Sequence, residues 1–139
     1  MFRKIVFAHN GSSSGDRALL YVQHLGHDEG TEVVVVHVYE VPQQYATTAG
    51  FADLRAGFEG VANAVVDDAI AELESAGVQA RAVVREGSPG RVILEIAEEE
   101  KASLIVLGAR GPSSVAELML GSVSTEVLRF SRCPVLTVP

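Results

Sequence analysis

The chain has 139 residues, of which 47% are hydrophobic and 21% charged, an ordinary globular composition that excludes a disordered chain or a coiled coil. That length suits one domain with its own core, needing no disulfide or metal staple. Eleven Lys plus Arg against 18 Asp plus Glu give a formal charge of −7, so no nucleic-acid partner is expected.

Cys133 is the single cysteine, and no Cys/His spacing suits zinc, so no metal site is expected. The longest apolar runs, Val33–Val36 and Leu104–Leu107, are too short to span a bilayer. After Arg3 and Lys4 only Ile5–Ala8 precede His9 and Asn10, which is no secretory segment. A cytoplasmic protein with no membrane partner is the expectation.

In chain order, Lys4–Ala8 is predicted as a strand and Ser14–Leu25 as a helix, followed by a strand over Glu32–Val38. Tyr39–Gly50 holds Pro42, two Gln and two Thr, and reads as the one long loop. Phe51–Ala76 has helical period, with Val65, Ala69, Leu73 and Ala76 on one stripe and Gly77 as the stop. A strand over Gln79–Arg85 follows. Ser88-Pro89 reads as N-cap and first position of a helix reaching Lys101, apolar at Ile93, Ile96 and Ala97. Leu104–Leu107 and Pro134–Val138 read as strands, with helical Val123–Phe130 between them. Strand and helix alternate, so the fold class is α/β: one doubly wound sandwich over 1–139, with a five-stranded parallel sheet and about four helices.

In such a sheet ligands bind beyond the carboxyl ends of the strands. Three segments lie there: His9–Ser14, His37–Tyr39 and Gly108–Ser122. The last reads Gly108-Ala109-Arg110-Gly111, nine residues, then Gly121-Ser122-Val123-Ser124. Glycines let a backbone approach an anion, Arg110 adds a cation, and Ser122 stands at a helix N-terminus with Ser124 further in. Together these describe a phosphate cradle, although a turn glycine with a serine N-cap would use the same letters. There is no Gly-Lys-Ser or Gly-Lys-Thr, and no dinucleotide Gly-x-Gly-x-x-Gly.

Gly108-x2-Gly111-x9-Gly121-Ser122 resembles the motif of the ATP-binding members of the universal stress protein family. The likeness extends through Val127-Leu128 and Cys133-Pro134-Val135-Leu136, to the opening Lys4-Ile5-Val6 with Asn10-Gly11-Ser12, and to Gly87-Ser88-Pro89. The resemblance implies a strand order 3-2-1-4-5, a homodimer, and bound ATP, with or without Mg2+, as cofactor. Its phosphates would rest on Gly108, Gly111, Gly121 and Ser122, beside Arg110, Val123 and Ser124. Adenine and ribose would lie against Ala8, His9, Asn10, Ser12 and Val38. Asn10 departs from the Asp common in the family: it can still donate and accept hydrogen bonds, but it lacks a carboxylate.

Other constellations carry less. His9-Asn10-Gly11-Ser12 only partly echoes the His-x-Gly-His motif of nucleotidylyl transferases. His24 and His27 read as a solvated helix end, and Cys133 as a packing residue. No catalytic residue is assigned, because no general base is identified; a bound ATP would turn over slowly or not at all. A weak ATPase, self-phosphorylation on Ser113, Ser114, Ser122 or Ser124, and a nucleotide-free interaction module stay open. The last strand would be a sheet edge, so Val135, Leu136, Thr137 and Val138 are expected to meet a second copy about a two-fold axis. A further protein partner, of unknown identity, is expected for a signalling role.

Overall fold

The computed structural model describes residues 1–109 and 121–139. Five strands, β1 (Lys4–Ala8), β2 (Glu32–Tyr39), β3 (Gln79–Glu86), β4 (Leu104–Gly108) and β5 (Val135–Val138), form one sheet in the order β3-β2-β1-β4-β5. Every pairing is parallel, with Val6 of β1 opposite Val34 of β2 on one side and Ile105 of β4 on the other. Among the described residues the crossovers are four helices, α1 (Ser13–Leu25), α2 (Phe51–Ser75), α3 (Pro89–Glu99) and α4 (Ser122–Phe130). The expected fold class, strand order and helix number are all found.

The apolar strands are buried on both faces, which is why they carry runs rather than alternation. Ile5, Phe7, Val33, Val35, Leu104 and Val106 point to one core, packed on Ala18, Leu19 and Val22 of α1 and on Val66, Ala69 and Leu73 of α2. Val6, Val34, Val36, Ile105 and Leu107 point to the other, packed on Val92, Ile93 and Ile96 of α3 and on Val127 of α4. One residue of register therefore separates the two cores. Burial in α2 begins at Ala62; the turns from Phe51 to Val61 contribute no buried residue.

Helix ends follow local chemistry. Gly77 (φ 82°) closes α2, its N–H on the Glu74 carbonyl and that of Val78 on the Leu73 carbonyl. The same closure ends α3 earlier than its periodicity suggests. Lys101 takes the left-handed position (φ 54°), and Ala102 N–H reaches the Ala97 carbonyl at 2.9 Å. The 39–50 segment contains a short 3-10 turn, Gln43–Tyr45, and Val41 is buried, so it is not wholly irregular.

β5 is an edge strand. Its Pro134 and Val138 carbonyls accept from Ile105 and Ala109 N–H, at 3.0 and 2.7 Å. By the alternation of a parallel ladder, the backbone groups of Val135 and Thr137 face the open side. Val138 is only 3% exposed and packs in the α1–α2 core. Among the described residues no helix is long and apolar enough to cross a membrane.

Candidate functional site

The strand order reverses direction at β1, whose neighbours β2 and β4 lead to opposite edges. A ligand crevice belongs at that switch, beyond the carboxyl ends. A cavity of about 240 Å3 lies there. Its apolar wall comes from Ala8 of β1, Val36 and Val38 of β2, Leu107 of β4, and Pro89 and Ile93 of α3. Gly108, Gly121, Ser122, Val123 and Ser124 line the end beside α4, and His9 and Asn10 lie between. A larger, shallower groove of about 660 Å3 runs between α3 and α4, past Glu98, Lys101 and Cys133. It borders the C-terminal turns of those helices, not the sheet's switch point.

The turn after β1 is built by side chains. Ser12 is the N-cap of α1, its Oγ accepting from Gly15 N–H at 3.1 Å. Asn10 Oδ1 accepts from Ser12 N–H at 3.0 Å, an Asx turn that commits the amide oxygen. Gly11 takes φ 81°, and its N–H donates to His9 Nδ1 at 3.0 Å. Because Nδ1 accepts, the proton of the neutral ring sits on Nε2. From there it donates to Asp16 Oδ1 at 3.1 Å. The His9 carbonyl in turn accepts from His37 Nδ1 at 2.8 Å.

Burial holds the His9 ring below its ordinary titration range, against the opposing pull of Asp16 and Glu72. Burial likewise lowers His37, partly offset by its bond to the His9 carbonyl. The imidazole of His9 is 5% exposed and the Asp16 side chain 71% exposed.

The α4 end is held differently. Gly121 is the N-cap, with no side-chain cap bond, so Ser122 is the first residue of the helix. Gly121 N–H donates to the Ala109 carbonyl at 2.8 Å, tying α4 to the end of β4. Ser124 is 2% exposed, and its hydroxyl donates to the Gly108 carbonyl at 2.9 Å. Ser124 therefore braces the turn instead of offering its proton to a ligand. A Cβ on Gly108 would run into Ser14 and the Gly15 backbone, so that glycine is required by the packing of α1 on β4.

Of the residues read from sequence, Ala8, His9, Asn10, Val38, Gly108, Gly121, Ser122, Val123 and Ser124 all line the cavity. Ser12 does not: it is buried beneath the turn as a cap. Arg110 and Gly111 lie outside the described residues, as do Ser113 and Ser114. Val36, Leu107, Pro89 and Ile93 were not among the sequence candidates. Their signal was there, since they are the ends of the apolar runs and the first two turns of α3 nearest the switch point. Among the described residues no three His, Cys, Asp or Glu side chains come together as a metal site.

Comparison with known proteins agrees with this fold. Residues 1–139 match the model of the universal stress protein family. The chain is 36% identical to universal stress protein YxiE of Bacillus subtilis, over 99% of each chain. It superposes on the solved structure of MJ0577, a hypothetical protein, with a TM-score of 0.91 at 28% identity, covering 99% of this chain and 96% of that one. A universal stress protein solved in complex with cAMP superposes with a TM-score of 0.72 at 25% identity, covering 99% and 96%.

Proposed function

As the chain belongs to the universal stress protein family, we propose that it binds an adenine nucleotide, ATP, in the cleft at the end of β1, as a signal or structural ligand turned over slowly or not at all. The observation that carries this reading is the division of the cleft. An apolar wall of Val36, Val38, Leu107 and Ile93 suits a base at the β2–α3 end. The N-terminus of α4, which begins at Ser122 just past the committed Gly121 N–H, offers the backbone N–H groups of Ser122 and Val123 and a favourable dipole to phosphates at the other. Asn10, on the turn after the central strand, lies between and faces the sugar. A relative of the same fold has been solved with cAMP, a nucleotide of the same base. Among the described residues no carboxylate lines the cleft, so any Mg2+ would be held through the phosphates.

That no free base lines the cleft among the described residues supports slow turnover. Both ring nitrogens of His9 are engaged, by Gly11 and Asp16, and the Ser124 proton is given to Gly108. Among the described residues that line the cleft, no carboxylate is placed to orient water.

The reading includes a homodimer joined through the open edge of β5. Val135, Leu136 and Thr137 are half-buried within one chain and would contribute side chains, with the outward backbone groups of Val135 and Thr137; Val138, its side chain buried and its carbonyl on Ala109, would contribute neither. It also includes a cytoplasmic location, supported by the single unpaired Cys133, and a protein partner that reads the nucleotide state.

The test is the nucleotide released by heat from freshly purified protein, identified by chromatography with mass detection, followed by calorimetric titration with ATP. Near-stoichiometric intact ATP supports the reading. Recovered ADP with continuing phosphate release would favour an enzyme. No ATP affinity at millimolar concentration would sink the proposal and leave a nucleotide-free module.

A further inference from the structure

The turn Asn10-Gly11 is held to the body of the protein by a group that titrates. Gly11 N–H donates to His9 Nδ1, and the carbonyl of His9 accepts from His37. We propose that His9 is a positioning residue that couples the cleft to proton concentration: neutral, it holds the Asn10-Gly11 turn against the ligand; protonated, it releases that turn and weakens nucleotide binding. This rests on the nucleotide reading above and adds its regulation.

The argument is one of donors and acceptors. A neutral ring with its proton on Nε2 satisfies both neighbours at once, Asp16 through Nε2–H and Gly11 through the Nδ1 lone pair. An imidazolium has no lone pair. Its Nδ1–H would face the Gly11 N–H, donor against donor, in a site only 5% exposed. The ring cannot easily turn away. Gly15 of α1 lies against it so closely that a Cβ there would meet Nδ1 at 2.6 Å and Cε1 at 2.8 Å. Gly11 must move instead, and Asn10, which lines the cleft, moves with it.

The groups around His9 set the sign. Asp16 from α1 and Glu72 from α2 favour the proton, and burial opposes it more strongly. His37 from β2 donates through Nδ1 to the His9 carbonyl, and that bond survives protonation of His37. His37 therefore does not share the switch, although it titrates beside it.

The experiment measures ATP affinity by calorimetry at about pH 7.5 and about pH 5.0, around the ordinary histidine range, for the wild-type protein and for His9→Asn. The Asn Oδ1 reproduces the Nδ1 acceptor but does not titrate. The terminal phosphate of ATP titrates equally in both experiments, so the comparison of the two proteins removes it. We expect wild-type affinity to fall at least about tenfold more than that of the variant, whatever the variant's affinity at the higher pH. Equal pH dependence in the two proteins would overturn the proposal. In the wild-type protein alone, NMR should show the Nε2–H tautomer of His9 and a Gly11 amide shift with the same midpoint as the His9 ring. A Gly11 amide blind to that titration would overturn it as well, even if the variant fails to fold. No ATP affinity at either pH would sink the nucleotide reading, while the Gly11 titration still decides whether His9 holds the turn.

Discussion

Gly15 sits directly beneath the imidazole of His9, with room for a hydrogen and not for a methyl group. Gly15 is in the first turn of α1, where alanine would ordinarily gain up to about 1 kcal/mol of helix stability. Here Gly15→Ala is expected to lose about 1–3 kcal/mol, because overpacking against a buried ring outweighs propensity. Urea denaturation measures it. The double change His9→Ala with Gly15→Ala should recover stability relative to the sum of the single changes; strict additivity would show that the ring and the glycine are not in conflict.

Asn10→Asp keeps the acceptor that holds Ser12 N–H and replaces the amide NH2 with a second carboxylate oxygen. The turn should survive with little change in stability. A carboxylate accepts ribose hydroxyls more strongly than an amide does, by about 1 kcal/mol, so ATP affinity should rise about fivefold. Titration calorimetry reads it, and a loss of affinity would mean that Asn10 faces the phosphates.

Gly121 has φ −65° and ψ 159°, an extended conformation open to any residue. Gly121→Val should therefore fold, with a melting temperature within a few degrees of the parent. Its isopropyl group would occupy the α4 end of the cleft, and ATP binding should disappear. Retained affinity would move the phosphates elsewhere.

Thr137→Pro tests the open edge. Proline removes an N–H that faces away from β4, which an edge strand tolerates. The chain should fold and run as a monomer in light scattering. Leu136→Pro, one residue away, removes a ladder bond to β4 and should instead destabilise the chain. A dimer that persists in Thr137→Pro would place the interface elsewhere.

Acid should weaken the fold before the carboxylates titrate. Burial holds His9 and His37 below their unfolded value of about 6.5, so the unfolded chain binds protons first. Their contribution is fully present above about pH 6.5 and is lost as pH falls through the folded values. The urea midpoint should drop between about pH 7 and about pH 5, and less so in His9→Asn; a flat profile would show that neither ring is held neutral.

Much of this architecture was legible in the letters. Apolar runs buried on two faces announced a parallel sheet, and Ser88-Pro89 and Gly77 marked helix ends by chemistry that leaves a residue-level trace. The end of α3 was not legible, because Lys101 does the work a glycine usually does. The cleft was half legible. Glycines and serines near strand ends stood out, yet their reasons differ from the obvious ones: Gly108 makes room for α1, Ser12 caps it, and Ser124 braces a carbonyl. The role of His9 was hidden, since it depends on which ring nitrogen Gly11 reaches. Sequence spacing cannot state a tautomer.

The long helix α2 buries Ala62, Val66, Ala69 and Leu73 and nothing before them. Beyond their own backbone bonds, its first turns add the half-buried Phe51 and Phe58 and the exposed Arg55–Glu86 ion pair to β3, and a helix of that length is marginal with so little tertiary support. They should open independently of the rest, so their amides should exchange with solvent at a free energy well below that of global unfolding. Limited proteolysis should cut there first and leave the sheet intact. The protein is then two cooperative units of unequal strength, and the weaker one is joined directly to the segment that leaves β2 beside the cleft.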